Sequence, residues 1–239
     1  MRMKLTAAIK YYLNDFKRAV AVFYSILIFI FVALLITFTY FEVDNVSISG
    51  PEGSSLIFLF VVGLNSFKNP FRLFLQTGRS RRTLFVGYVV SLAILSVVMV
   101  LLDAGMDWLY SSSLRNESLF ISSFQARYGT NGAAFLDSLL WSFISYMALG
   151  MSGYFLTTLF YRMNKALKLV VSIGVPIFFL TVLPIIDTIY FSGVIYSFFF
   201  KVLAMAMATP YNSMLFFAAV YLLTGGFGFL LTRSATAKE

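Results

Sequence analysis

Ten carboxylates, no histidine and no cysteine limit the chemistry that this chain of 239 residues can attempt. Without cysteine there is no thiol nucleophile, thiolate metal site or disulfide. Without histidine the commonest general base and the commonest transition-metal ligand are gone. No Gly-rich phosphate loop ending in Gly-Lys-Ser/Thr occurs: the glycines of 224–228 have no lysine after them and, like Gly150 and Gly153, read as close helix packing. Ionisable groups within long apolar runs flag ion or proton paths. Here Asp187, Asp137 and Asn65 all fall near the ends of such runs, none at a midpoint, so a proton- or sodium-coupled carrier is disfavoured. For Asp187, interfacial solvation or a polar pair with Lys201 on the outer face is preferred to a substrate role. An enzyme within the membrane would have little to work with. The chain is expected to have no catalytic activity, cofactor or metal site of its own.

The densest signal is the run 68–85, which carries Lys68, Arg72, Arg79, Arg81 and Arg82. Asn69 suits a helix N-cap and Pro70 a first helical position. Residues 71–77 then make two turns, Gly78 suits the C-cap, and Ser80 can cap the helix that follows. Phe71, Phe74 and Leu75 form an apolar ridge at i, i+3 and i+4. A short, rigid, basic helix with an aromatic ridge is suited to docking in a groove on another protein. The plainer reading is a basic loop resting on lipid phosphate.

The elements around this run are set by composition. Hydrophobic residues make up 60% of the chain and charged residues 12%, a lipid-facing balance. Fifteen of the eighteen Lys and Arg residues fall in four short segments, at 2–18, 68–82, 162–168 and 233–238. Glu42, Asp44, Glu52, Asp103, Asp107 and Glu117 occupy the alternate loops. Cytoplasmic loops collect Lys and Arg, so this pattern predicts a multi-pass protein of the bacterial inner membrane with both termini cytosolic. The net charge of +8 then reflects topology and contact with the anionic lipid bilayer, with no nucleic-acid partner. The expected fold is all-α, a single transmembrane domain over 1–239. It has six spans at about 20–41, 51–67, 83–102, 135–160, 169–191 and 211–231. An amphipathic interfacial helix over 4–19 precedes the first span, and 192–210 is expected to form a re-entrant hairpin before the last, because its short apolar run carries Lys201 at its middle. Pro176 and Pro184 should kink the fifth span. The segment 103–134 forms an outer loop, and Trp108 and Trp141 fall at the outer boundary as an aromatic belt.

At the run 71–85, with its Leu-Gln-Thr-Gly-Arg-Ser-Arg-Arg core, the chain resembles the small exporter-type permease subunits of bacterial ABC transporters from Gram-positive operons. An N-terminal interfacial helix, six spans and a broken hairpin before the last span match that architecture. The resemblance implies that 68–82 is the coupling helix that seats in a separate ATPase subunit. Docking would fall to Pro70, Phe71, Arg72, Phe74 and Leu75, with Gly78 as terminator. It implies work in pairs, with a second copy or a sister permease, each with an ATPase that binds ATP and Mg. The expected substrate is amphipathic or lipid-like (a peptide, an antibiotic or a lipid), since the spans offer aliphatic and aromatic walls. The outer segment is longer than such a permease needs. The alternative is a membrane immunity or sensor protein that binds a peptide through that segment and transports nothing.

Overall fold

In a bilayer every backbone N–H and C=O must find its partner within the segment, and long apolar runs meet that demand as helices. The computed structural model describes residues 2–41, 48–78, 80–113, 116–124 and 132–234. Expectations at Glu42, Asp44, Arg79 and Lys238 lie outside the described residues. The helices are α1 (Arg2–Phe41), α2 (Glu52–Asn65), α3 (Lys68–Gln76), α4 (Arg81–Ser113), α5 (Leu119–Phe124), α6 (Gly132–Arg162), α7 (Lys165–Tyr190), α8 (Val194–Met207) and α9 (Pro210–Ser234). Two short strands, β1 (Ile48–Ser49) and β2 (Asn116–Glu117), pair in parallel. Within α1, α4, α6, α7 and α9 lie five stretches long and apolar enough to cross a membrane. The chain is an all-helical, membrane-embedded protein.

The observed elements differ from the sequence expectation in several places. α1 is one unbroken helix of 40 residues, not an interfacial helix followed by a span. Its first part is held by Ala8, Tyr12 and Phe16, all buried, and a Cβ on Gly87 of α4 would sit 2.8 Å from the Ala8 Cβ. Tertiary packing therefore holds against α4 a segment whose amphipathicity suggested a surface helix. α2 is only 14 residues long, about 21 Å at ~1.5 Å per residue, against ~30 Å for a hydrocarbon core. α4 continues to Ser113, well into the expected outer loop.

The core is built from helices that run side by side in register. Along α1 and α4 the contacts advance together: Ala8 with Gly87, Tyr24 with Asp103, Phe31 with Tyr110. The two helices are therefore parallel. α6 and α9 are parallel too, tied by Trp141 Nε1–H to Ser213 Oγ at 2.8 Å near one end and by the Tyr154 and Thr232 hydroxyls at 3.2 Å near the other. α2 packs on α6 backbone to backbone: a Cβ on Gly63 would run into the Gly150 carbonyl oxygen, and one on Gly153 into that of Phe60. Small residues permit this approach.

α7 meets the rest of the structure chiefly through α8, and Asp187 is its only buried residue. Its prolines are absorbed by two π turns, Val170–Gly174 ahead of Pro176 and Phe178–Val182 ahead of Pro184. In these turns the Val175 N–H reaches the Val170 carbonyl and the Leu183 N–H that of Phe178, each five residues back. Each proline is thus preceded by a locally widened turn within the helix. The segment expected as a broken hairpin is the single helix α8, reached through a turn with Gly193 at φ 79°.

Candidate functional site

The basic end of the bundle gathers chain segments that lie far apart in sequence. Arg81 Nη1 donates to the Arg233 carbonyl at 2.6 Å, and Arg162 Nη1 donates to Ser234 Oγ at 2.9 Å. α3 lies at the same end. It begins at Lys68 with Phe67 as its cap residue and no side-chain cap bond, so Asn69 does not cap it. It ends as the sequence suggests, with Gly78 at φ 64° and the Gly78 N–H bonded to the Leu75 carbonyl. Ser80 then accepts from the Thr83 N–H at 3.2 Å and caps α4.

The aromatic ridge of α3 points inward, not toward a partner. Phe71 is fully buried and Phe74 is 3% exposed; Pro70 is buried and Leu75 half-buried. The Phe71 ring stacks on Phe67 at 4.9 Å and meets Tyr161 of α6 edge-on at 5.5 Å. Phe74 meets Tyr11 and Tyr12 of α1 at 6.1 and 6.4 Å. Each such ring pair adds about 0.5–1.5 kcal/mol beyond the area it buries. The sequence identified a ridge but could not say which surface it would meet, and the neighbouring helices claim it first. Arg72 and Gly78 remain exposed, and the outward face of α3 consists of Lys68, Asn69, Arg72, Leu73 and Gln76.

At the opposite end lies a polar centre that the sequence did not reveal. Asp103, expected at the start of a loop, sits in α4 at 2% exposure. Its Oδ1 accepts from the Tyr24 hydroxyl of α1 at 2.8 Å and from Ser55 Oγ of α2 at 3.0 Å. Its Oδ2 accepts from the Tyr146 hydroxyl of α6 at 2.5 Å. One carboxylate thus ties three helices to a fourth. Glu52, also buried, accepts from the Phe120 N–H at 3.3 Å and anchors α5 over the bundle. The available signal was an aspartate followed by a further apolar stretch, Met106 to Tyr110, with no proline to end the helix. Among the described residues no group of carboxylates could hold a metal ion.

Beside this centre an apolar groove of about 480 Å³ opens between α1 and α4. Tyr24, Ile28, Leu101, Gly105, Trp108 and Leu109 are among the residues lining it. Trp108 is 71% exposed, whereas Trp141 is buried among Phe120, Phe124 and Phe217 and belongs to the core.

Asp187 does not pair with Lys201. Its two carboxylate oxygens accept from the backbone N–H groups of Ile195 and Tyr196, each at 2.9 Å, and Lys201 is exposed further along α8. The aspartate caps the helix that follows its own, a structural role that satisfies N–H groups with no partner inside the helix.

Comparison with protein-family models, with curated proteins and with solved structures finds no match for this chain. The helices, the basic end and the buried carboxylate centre define a polytopic helical membrane protein.

Proposed function

We propose that the chain is the transmembrane permease subunit of an ABC exporter, which moves an amphipathic or lipid-like substrate with ATP hydrolysed by a separate subunit. The observation that carries this reading is α3. This short helix is clamped through Phe71 and Phe74 to α1 and α6, and it turns Lys68, Arg72, Leu73 and Gln76 outward at the basic end. A push on that face would pass directly into two long helices. The convergence of Arg81, Arg162 and Arg233 with α3 supports a cytosolic placement of this end, and so of both termini. In this reading α2 is a short sixth crossing, α8 is the re-entrant segment, and the chain pairs with a second copy or a sister permease.

The docking face therefore moves from the ridge to its opposite side. The test is purification of the tagged chain from its native membrane, with the ATPase followed by mass spectrometry and by ATP hydrolysis. Leu73→Asp and Arg72→Glu should remove the ATPase while leaving the chain monodisperse. A wild-type chain that purifies without any ATPase overturns the proposal and turns attention to the outer segment as a peptide-binding surface.

A further inference from the structure

α7 contains the same turn twice: Val170–Gly174 ahead of Pro176, and Phe178–Val182 ahead of Pro184. Each turn leaves one carbonyl without its usual donors. The Leu183 N–H is bonded to the Phe178 carbonyl and Pro184 has no N–H, so neither the i+4 nor the i+5 donor serves the Phe179 carbonyl. That carbonyl is met from outside its helix, because the Tyr196 hydroxyl of α8 donates to it at 2.8 Å. In the earlier turn the Val175 N–H is bonded to the Val170 carbonyl and Pro176 has no N–H. The Val171 carbonyl is left in the same condition, and no side chain among the described residues donates to it.

This acceptor faces lipid. α7 has no buried residue from 165 to 186. Val171 lies six residues in from Lys165, roughly 9 Å along a helix whose 26 residues exceed a ~30 Å hydrocarbon core. A backbone acceptor in hydrocarbon needs a donor from protein. The next residue carries one. Ser172 is exposed, and its hydroxyl has no partner among the described residues, whereas Ser25, Ser152 and Thr158 each donate to the carbonyl four residues back. A Cβ on Gly174 would meet only Val170 of its own helix, at 3.7 Å, so the backbone here is open to close approach from outside.

We propose that α7 is a self-association face: two copies of the chain meet along α7 in the bilayer, and the Ser172 hydroxyl of each donates to the partner's Val171 carbonyl. A second copy fits because the unmet donor and the unmet acceptor sit on successive residues. A two-fold axis along the membrane normal holds both at one depth and satisfies both pairs at once, as an isologous contact requires. An unrelated helix would need its own free hydroxyl and free carbonyl at that depth. The contact needs no ATPase and stands if the exporter reading fails; where that reading holds, it supplies the face on which the permeases pair.

The absence of native cysteine lets the full chain carry one dye at Lys10→Cys, an exposed position on α1. It is reconstituted in liposomes without any ATPase, and single-molecule photobleaching counts the copies as the protein-to-lipid ratio is raised. The wild type should pass from one-step to two-step bleaching. Ser172→Ala removes the donor and should raise the midpoint of that transition roughly tenfold, the effect of losing two hydrogen bonds in a membrane. Ser172→Thr keeps a hydroxyl and should stay near the wild-type midpoint. Pro176→Ala returns an N–H to the helix, serves the acceptor from within, and should weaken association without loss of folding. Gly174→Leu should block the approach of the second helix and leave single copies. A wild type that bleaches in one step at every ratio overturns the proposal and assigns α7 to lipid alone. An unchanged midpoint in Ser172→Ala, Pro176→Ala or Gly174→Leu also overturns it, because the copies then meet elsewhere.

Discussion

The Tyr24 hydroxyl donates to Asp103 Oδ1 at 2.8 Å across 79 residues of chain. The same offset relates Ala8 to Gly87, and Phe31 to Tyr110. Two helices separated by α2 and α3 are thus matched residue for residue over most of their length, with a polar lock within an otherwise aromatic and aliphatic seam. Replacing a residue that lines this seam should act through how closely α1 and α4 sit.

The glycine contact between α2 and α6 should be the least forgiving in the molecule. Gly63→Ala and Gly153→Ala each drive a methyl into a carbonyl oxygen, where backbone must move. Overpacking costs about 1–3 kcal/mol in ordinary cores, and more is expected where the neighbour is backbone. Gly226→Ala meets nothing within 4 Å and serves as the control. Thermal unfolding followed by fluorescence-detected size exclusion should rank Gly226→Ala with the wild type and the other two far below it.

The two faces of α3 should separate stability from docking. Phe71→Ala removes a fully buried ring and should cost about 3–5 kcal/mol, seen as a lower unfolding temperature. Leu73→Ala, 40% exposed, should leave stability nearly unchanged and, under the proposed function, weaken capture of the ATPase. If Leu73→Ala lowers the unfolding temperature as far as Phe71→Ala does, the burial described for this helix is mistaken.

Asp187→Ala should fray the start of α8 by freeing the Ile195 and Tyr196 N–H groups, at about 0.5–2 kcal/mol for a lost cap. Lys201→Ala should not. Hydrogen exchange at residues 194–198 reads the difference, and equal protection in the two variants would restore the Asp187–Lys201 pairing as a contender.

Two tryptophans make a simple optical test of which surface meets lipid. Trp108, 71% exposed, should be quenched by brominated lipid, and Trp141, 3% exposed, should not. Trp108→Phe should therefore abolish most quenching and Trp141→Phe almost none. Trp141→Phe should also lose about 0.5–1.5 kcal/mol with the indole bond to Ser213.

Much of the helical framework is legible in the amino-acid sequence. Apolar runs with basic ends can only be helices in lipid, Gly78 ends α3 at a positive φ, and Ser80 caps α4. The faces are not legible there. Phe71 and Phe74 have the spacing of a docking ridge, but the same spacing serves a helix that must be held by its neighbours. Asp187 pairs with backbone, not with Lys201, because orphan N–H groups at the start of α8 lie closer than the lysine.

The sequence by itself determined class and local punctuation, since hydropathy, charge distribution and turn residues act within a few residues of one another. Tertiary structure alone decided that Asp103 would become a buried hub and not a loop residue. It also decided that α1 and α4 would run parallel, and which side of α3 would face outward. Those outcomes depend on contacts across tens of residues of chain, and no local preference encodes which partner a side chain will find.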